Sequence, residues 1–327
     1  MNTKLHTSGE RELVLAAGRA HPELAQAVAR ELGIDLLPVS AYDFANTETY
    51  VRFGDSIRGC DVFVLQTHAA PVNESIMEQL LMLDAAKRAS ARAITAVIPF
   101  YGYARQDKKS RGREPISARL VADLLETAGA HRIMSVDLHT AQIQGFFNGP
   151  VDHLWALPVL VEYVKATVDT SNVTVVSPDA GRIRVAEEWG QKLGGAPLAF
   201  IHKTRDVTKP NSSKANRVVG DVAGHDCVLV DDLIDTAGTI VDAVNVLMDA
   251  GAKSVVVAAT HGVLSEMAIP RLQESPVKEV VVTDTLPISP EQHFPKLTVL
   301  SIAPVLAAAI SEVFNRGSVT SLFGGNT

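Results

Sequence analysis

The sequence predicts an α/β protein of two similar domains, each a mainly parallel sheet flanked by helices. Three observations carry this expectation. Short apolar runs, such as 61–65 and 227–230, alternate with longer segments of helical periodicity, which is the order that βαβ units impose. The short runs are apolar at consecutive positions, not at every second one, as strands buried on both faces are. The same alternation then runs a second time through the C-terminal half.

Taken in order, residues 12–18 read as a strand and 21–32 as a helix, with Pro22 suited to its first turn and Gly33 to its end. Residues 35–39 and 61–66 read as strands, 72–90 as a long amphipathic helix, and 93–99 as a strand. A helix over 115–128 stops at Gly129, and a strand over 131–137 closes this half. The second half gives a strand at 173–177, a helix at 183–193 ended by Gly194 and Gly195, and a strand at 198–202. A strand over 227–230 then runs into a short loop and a helix beginning near Ile240. Residues 61–67 lie over 226–232, 93–98 over 253–258, and 132–137 over 279–284. The boundary falls near 152–158, giving domains 1–154 and 155–327, with a late helix at 304–314 expected to pack back across them.

At 327 residues, 46% hydrophobic and 20% charged, the chain is long enough for two ordinary cores. A formal net charge of −7 argues against a general nucleic-acid binder, which must neutralise phosphates with lysine and arginine. Cys60 and Cys227 each adjoin a predicted strand and fit buried, reduced thiols better than a disulfide frame. No cysteine and histidine cluster suggests zinc, and no apolar run approaches the ~20 residues needed to span a bilayer. A cytoplasmic protein with no membrane partner is the expectation.

The chemistry-bearing stretch is 228–239, where a buried strand meets Asp231 and Asp232 and then the small-residue loop Asp235, Thr236, Ala237, Gly238, Thr239. In an open α/β sheet, ligands bind just past the carboxyl ends of the strands. A loop with little side-chain bulk at a helix N-terminus offers backbone N–H groups to a phosphate. Two carboxylates repel a phosphate and suit hydroxyl donors, so the order describes a ligand with a vicinal diol at one end and a phosphate at the other: a sugar phosphate. A solvated acidic turn capping a helix needs no ligand, but leaves the order of carboxylates and small residues unexplained. The stretch resembles the phosphoribosyl-pyrophosphate fingerprint of type I phosphoribosyltransferases.

The first half lacks the acidic pair, since Gln66 and Thr67 stand where Asp231 and Asp232 stand, but it carries its own unusual loop over 99–109. There Tyr101, Tyr103, Arg105, Lys108 and Lys109 set basic groups beside aromatics, a pattern that can hold a polyphosphate by charge and a base by stacking, or simply be a solvated basic turn. A second candidate base pocket is Phe44, Asn46 and Glu48, an aromatic flanked by amide and carboxylate.

With both halves in view, the chain resembles the ribose-phosphate pyrophosphokinase family, also called phosphoribosyl-pyrophosphate synthetases, in its bacterial phosphate-dependent form. The resemblance covers almost the whole chain and is strongest over 98–147, 176–179 and 220–239. It implies two phosphoribosyltransferase-like domains of type I, the first on the ATP side and the second on the ribose 5-phosphate side. It also implies transfer of the diphosphoryl group of Mg-ATP to the 1-hydroxyl of ribose 5-phosphate, with AMP released, to supply nucleotide, histidine and tryptophan biosynthesis.

Carried over by position, the resemblance gives Lys203 and Arg205 as the catalytic pair, at the base of a lid over 206–213. Phe44, Asn46, Glu48, Arg105, Gln106 and Asp107 become ATP-binding residues, with the adenine contacts made across a subunit interface. Asp231 and Asp232 hold the ribose 2′ and 3′ hydroxyls, and Asp235, Thr236, Ala237, Gly238 and Thr239 hold the 5-phosphate. His139 and Asp179 become Mg²⁺ or phosphate-side ligands. The family further implies a homohexamer, activated by inorganic phosphate and inhibited by ADP at interface sites to which Arg58 and the tail 318–321 could belong, although the tail reads equally well as ordinary packing at a helix end. Two departures stand out: Thr47 where glycine is usual, and Lys108 and Lys109 where arginine is frequent. The competing readings are a phosphoribosyltransferase that consumes the diphosphate, which needs neither the basic loop nor a second domain, and a catalytically silent regulatory homologue.

Overall fold

The central strands of the computed structural model lie where runs of apolar residues are covered on both faces, and the intervening amphipathic segments supply the cover. The structure describes residues 11–204 and 215–325. The chain divides into two compact units, one running to Leu154 and taking in Ala303–Thr327, the other Trp155–Ile302.

The first unit contains β1 (Leu13–Ala17), α1 (Pro22–Leu32), β2 (Val39–Asp43), β3 (Thr49–Phe53), β4 (Asp61–Leu65), α2 (Val72–Arg88), β5 (Ala93–Ile98), α3 (Ser117–Ala128), β6 (Arg132–Val136) and β7 (Val151–Leu154). Its five-stranded sheet is parallel throughout, in the order β1-β4-β5-β6-β7. The second unit contains α4 (Leu157–Thr167), β8 (Val173–Ser177), α5 (Ile183–Lys192), β9 (Leu198–Thr204), β10 (Ala215–Val219), β11 (Asp226–Ile234), α6 (Gly238–Asp249), β12 (Ser254–Gly262), α7 (Ala268–Glu274), β13 (Glu279–Thr283) and β14 (Leu297–Leu300). Its seven-stranded sheet has the order β10-β9-β8-β11-β12-β13-β14, antiparallel only between β10 and β9. The run β8-β11-β12-β13-β14 thus repeats β1-β4-β5-β6-β7, with β4 matching β11 as the residue pattern predicts.

The two matched strands even begin alike. Asp61 at the start of β4 is buried and paired with Arg11 and Arg92. Asp226 at the start of β11 is buried and takes Lys253 Nζ at 2.7 Å and Ser254 Oγ at 2.5 Å. A buried carboxylate is tolerable only with such partners. Fully covered Leu15, Phe63, Leu65, Leu83 and Leu125 pack the first unit, and Leu229, Val244, Leu247 and Leu272 the second. Each such side chain contributes roughly 1.5–3 kcal/mol when taken out of water.

The structure revises several expectations. The final helix, α8 (Ala303–Asn315), packs on α1 and belongs to the first unit, so the second unit stops at Ile302, short of the expected 327. Residues 35–39 do not form a strand. Leu37 N–H reaches Leu15 C=O at 2.8 Å, but Pro38 has no donor, and Val39 already belongs to the β2–β3 hairpin. β11 runs on to Ile234, carrying both acidic residues inside the strand, and α6 starts at Gly238, ahead of the expected Ile240.

Candidate active site

In the second unit, the carboxyl ends of β8, β11 and β12 bring the predicted sugar-phosphate residues together. β11 is short of cover at its end, so Asp231 and Asp232 are partly exposed, at 17% and 9% of their side-chain surface. Asp232 N–H donates to Asp231 Oδ1 at 2.9 Å. A short 3-10 turn, Ala180–Arg182, is capped by Asp179, whose Oδ1 accepts from Gly181 N–H at 2.8 Å. That turn delivers Arg182 to the acidic pair, 2.6 Å from Asp232 Oδ2 and 3.8 Å from Asp231 Oδ1. Burial and the charge of Asp232 raise the Asp231 carboxyl well above the usual range, with Arg182 pulling in the other direction.

The loop from Asp235 to Gly238 is held from outside. Ser265 Oγ donates to Asp235 Oδ1, Ser265 N–H to Asp235 C=O at 3.1 Å, and Arg271 Nη1 to Thr236 C=O at 2.7 Å. Ala237 takes a left-handed conformation, φ 59°, as the residue before α6, and is buried. The N-terminus of α6 has no side-chain cap, so the amides of its first turn are left to a ligand or to water.

In the first unit, the carboxyl ends of β4, β5 and β6 carry the counterpart residues. Where the acidic pair stands in β11, Gln66 is spent internally: its Oε1 accepts from Ala20 N–H at 3.2 Å, and its Nε2 donates to Glu78 Oε1 at 3.2 Å. Glu78 also accepts from Arg19 N–H at 2.6 Å and Arg19 Nε at 2.5 Å. Arg19 in turn grips both oxygens of Asp43, at 2.8 and 2.9 Å. This position is filled by the protein's own polar groups.

After β5, Arg105 and Gln106 are exposed and Asp107 half-buried. Gln106 Oε1 accepts from Ser117 Oγ at 2.6 Å, and Asp107 Oδ2 accepts from Thr140 Oγ1 at 2.8 Å. Thr140 follows His139, so the basic loop and the segment after β6 are joined, with His139 half-buried beside them. At the hairpin tip, Phe44 is 47% exposed and meets Tyr42 edge-on at 5.4 Å. Asn46 Oδ1 accepts from Glu48 N–H at 3.2 Å. Thr47 takes a left-handed backbone, φ 69°, that a glycine would adopt freely, and its N–H closes the turn on Phe44 C=O at 2.8 Å. Lys203 lies in β9 with its backbone opposite Asn216, while Arg205 and the expected lid over 206–213 fall outside the described residues.

Comparison with known proteins bears on what this pair of sites belongs to. The profile of the N-terminal domain of ribose phosphate pyrophosphokinase matches residues 13–129, and that of the phosphoribosyl synthetase-associated domain matches 169–324. A ribose-phosphate pyrophosphokinase of Bifidobacterium longum is 67% identical over 316 residues, covering 96% of this chain and 93% of that protein. The chain belongs to the ribose-phosphate pyrophosphokinase family. A further relative from Streptomyces coelicolor with the same name is 61% identical, covering 98% and 99% of the two chains. The crystal structure of phosphoribosylpyrophosphate synthetase from Mycobacterium smegmatis superposes with a TM-score of 0.89 at 61% identity, over 94% of this chain and all of that one.

Within this member of the ribose-phosphate pyrophosphokinase family, the residues that the sequence reading missed are those that reach the site from other segments: Arg182, Ser265, Arg271, Thr140 and Arg19. Arg182 had a weak signal, three residues after Asp179 at a predicted helix start. The others had none, because their partners lie 24 to 59 residues away along the chain.

Proposed function

We propose that the chain transfers the diphosphoryl group of ATP to the 1-hydroxyl of ribose 5-phosphate, giving 5-phospho-α-D-ribose 1-diphosphate and AMP. One observation carries this: two units share a strand order, yet only the second ends its key strand in an acidic pair, while the first fills that position and presents an exposed basic loop instead. A phosphoribosyltransferase needs only the acidic unit. Identity above 60% over nearly the full length of named pyrophosphokinases also disfavours that reading and the silent homologue.

In this reading, Asp231 and Asp232 accept hydrogen bonds from the ribose 2′ and 3′ hydroxyls, and Arg182 keeps the pair from repelling itself apart. The amides of 235–239 take the 5-phosphate at the α6 N-terminus. Phe44, Asn46 and Glu48 meet adenine from a neighbouring subunit, and Arg105, Gln106 and Asp107 meet the ATP phosphates. The 1-hydroxyl attacks the β-phosphorus and AMP leaves, so the protein's task is alignment and neutralisation of charge on the bridging oxygens, supplied by Lys203 and Arg205.

Among the described residues, no group of three or more histidine, cysteine or acidic side chains forms a metal cage. Mg²⁺ keeps its waters and is held largely by substrate phosphates, so its binding needs no such cage. Asp179 offers the hard oxygen such an ion prefers, and His139, a nitrogen donor, suits a metal-bound water or a phosphate oxygen. Bound Mg²⁺ would screen the charge of the triphosphate. A cytoplasmic homohexamer, with phosphate and ADP acting near Arg58 and 318–321, completes the proposal. The test is to incubate the full chain with ATP, ribose 5-phosphate and Mg²⁺, with and without phosphate and ADP. AMP released in step with ribose 5-phosphate consumed is expected, and no AMP under any condition sinks the reading.

A further inference from the structure

The segment Gln66-Thr67-His68 occupies, by strand order, the place of Asp231-Asp232-Leu233, and all three side chains are turned inward and buried. Gln66 is used by Glu78 and Ala20. The other two act on the loop that follows β5. Thr67 Oγ1 accepts from Phe100 N–H at 3.2 Å, and His68 N–H donates to Phe100 C=O at 3.1 Å. His68 Nδ1 then accepts from Gly102 N–H at 2.9 Å.

That last bond fixes the ring. An Nδ1 that accepts carries no proton, so the proton sits on Nε2, which donates to Gln79 Oε1 at 2.9 Å. Gln79 is oriented in turn, its Nε2 donating to Val64 C=O at 3.2 Å. His68 and Gln79 are both fully buried. Burial keeps the imidazole neutral, its pKa pushed down to about 4. Gly102 lies so close that a Cβ there would sit 3.0 Å from His68 Cβ and 3.2 Å from both His68 Nδ1 and Val72 Cγ1. Just beyond, Tyr101 Oη donates to Ala118 C=O at 3.0 Å, and Tyr103, left-handed at φ 63°, sends its hydroxyl to Asn73 Oδ1 at 2.5 Å. Arg105 and Gln106 follow directly, with Gln106 N–H on Tyr103 C=O at 2.9 Å.

We infer that His68 is a positioning residue for the nucleotide: in the unit that lacks the acidic pair, the same strand end buttresses the basic loop, and the Nδ1 lone pair of His68 sets the path of Gly102 and hence of Arg105 and Gln106. The inference rests on the functional reading above for the identity of the ligand, ATP. It does not require His68 to touch ATP.

The test compares full-length wild type with His68→Leu, His68→Asn and His68→Gln. Asparagine can place an acceptor near the Nδ1 position, glutamine reaches past it toward Nε2, and leucine has none. Expected for His68→Leu and His68→Gln is a roughly tenfold rise in the KM for ATP, the scale of one lost buried hydrogen bond, with the KM for ribose 5-phosphate within about twofold of wild type. His68→Asn should recover most of the ATP KM. Amide exchange of Gly102 should be slow in wild type and His68→Asn and fast in the other two. If His68→Leu does not fold, the comparison of His68→Asn with His68→Gln decides. Equal ATP KM values for those two, or equal shifts in both substrates' KM, would overturn the inference. A wild-type chain that releases no AMP overturns the functional reading alone, and the positioning claim then rests on calorimetric ATP binding and Gly102 exchange across the same set.

Discussion

Asp231 is the residue on which affinity and stability pull in opposite directions. Burial and the charge of Asp232 raise its carboxyl well above the ordinary range. A carboxyl raised in the folded state makes the native chain bind more protons than the unfolded one. Its contribution to stability is therefore greatest below the ordinary carboxylate pKa and falls as pH rises through the raised value. As pH rises past the ordinary carboxylate range, ionising this carboxyl costs stability, and on the proposed function that cost maintains an acceptor site for a diol. Asp231→Asn is expected to stabilise the protein by about 1 kcal/mol in denaturant unfolding at pH 7, since Arg182 keeps its 2.6 Å partner Asp232. The same variant is expected to weaken ribose 5-phosphate binding at least tenfold by calorimetry; unchanged affinity would remove Asp231 from the sugar site. On the proposed assignment, Lys203 makes the opposite demand, because a cation that acts on charge developing at the bridging oxygen belongs to the transition state and not to the bound sugar. Lys203→Ala is expected to lower kcat by at least ~10²-fold with little change in ribose 5-phosphate KM, measured as AMP release; near-normal turnover would discard the assignment.

Among the elements, the loop between β11 and α6 is shaped less by its own sequence than by α7 and the segment before it. Arg271, on α7, fixes the Thr236 carbonyl, and Ser265 fixes both ends of Asp235. Arg271→Ala should let this loop wander and raise the KM for ribose 5-phosphate roughly tenfold, the lower end for a hydrogen bond from a charged group, because Arg271 is exposed. The KM for ATP should stay within about twofold, and a parallel rise in both would point to a general loss of structure instead. The same contrast explains what could be read beforehand. β4, β8 and β11 were legible because their apolar residues are consecutive and buried on both faces, and the loop 235–239 was legible because its functional groups are contiguous. The β2–β3 hairpin was not, since its residues are half-exposed and it is held by an aromatic stack of Tyr42 on Tyr50 and by Arg19 from another segment. β10 and β14 are sheet edges with partial cover and lack a buried strand's signature. Arg271 and Ser265 become site residues only when the chain folds.

For the molecule as a whole, the two units share a topology and a buried aspartate at the start of the matched strand, and His68 in the first unit adds an acid-sensitive group. In the second unit, burial pushes the Asp226 carboxyl upward, but the hydrogen bonds from Lys253 and Ser254 outweigh it and hold the group below its ordinary value. Its contribution to stability is present above the ordinary carboxylate pKa and is lost only as pH falls through the depressed one. The first unit carries His68, whose pKa burial lowers from 6.5 to about 4. Between those values the unfolded chain binds the proton and the folded one does not, so stability rises with pH across this window. The stabilisation is fully present above about pH 6.5 and lost progressively toward pH 4, and a shift of this size corresponds to about 3 kcal/mol. Denaturant unfolding followed by amide exchange should therefore show β4 and β5 losing protection between pH 6.5 and 4.5. In His68→Asn, which keeps an acceptor for Gly102 but cannot titrate, the loss in the first unit should flatten across the same window. If wild type and variant lose protection in parallel, the acid sensitivity belongs to other groups, and His68 does not set the first unit's acid limit.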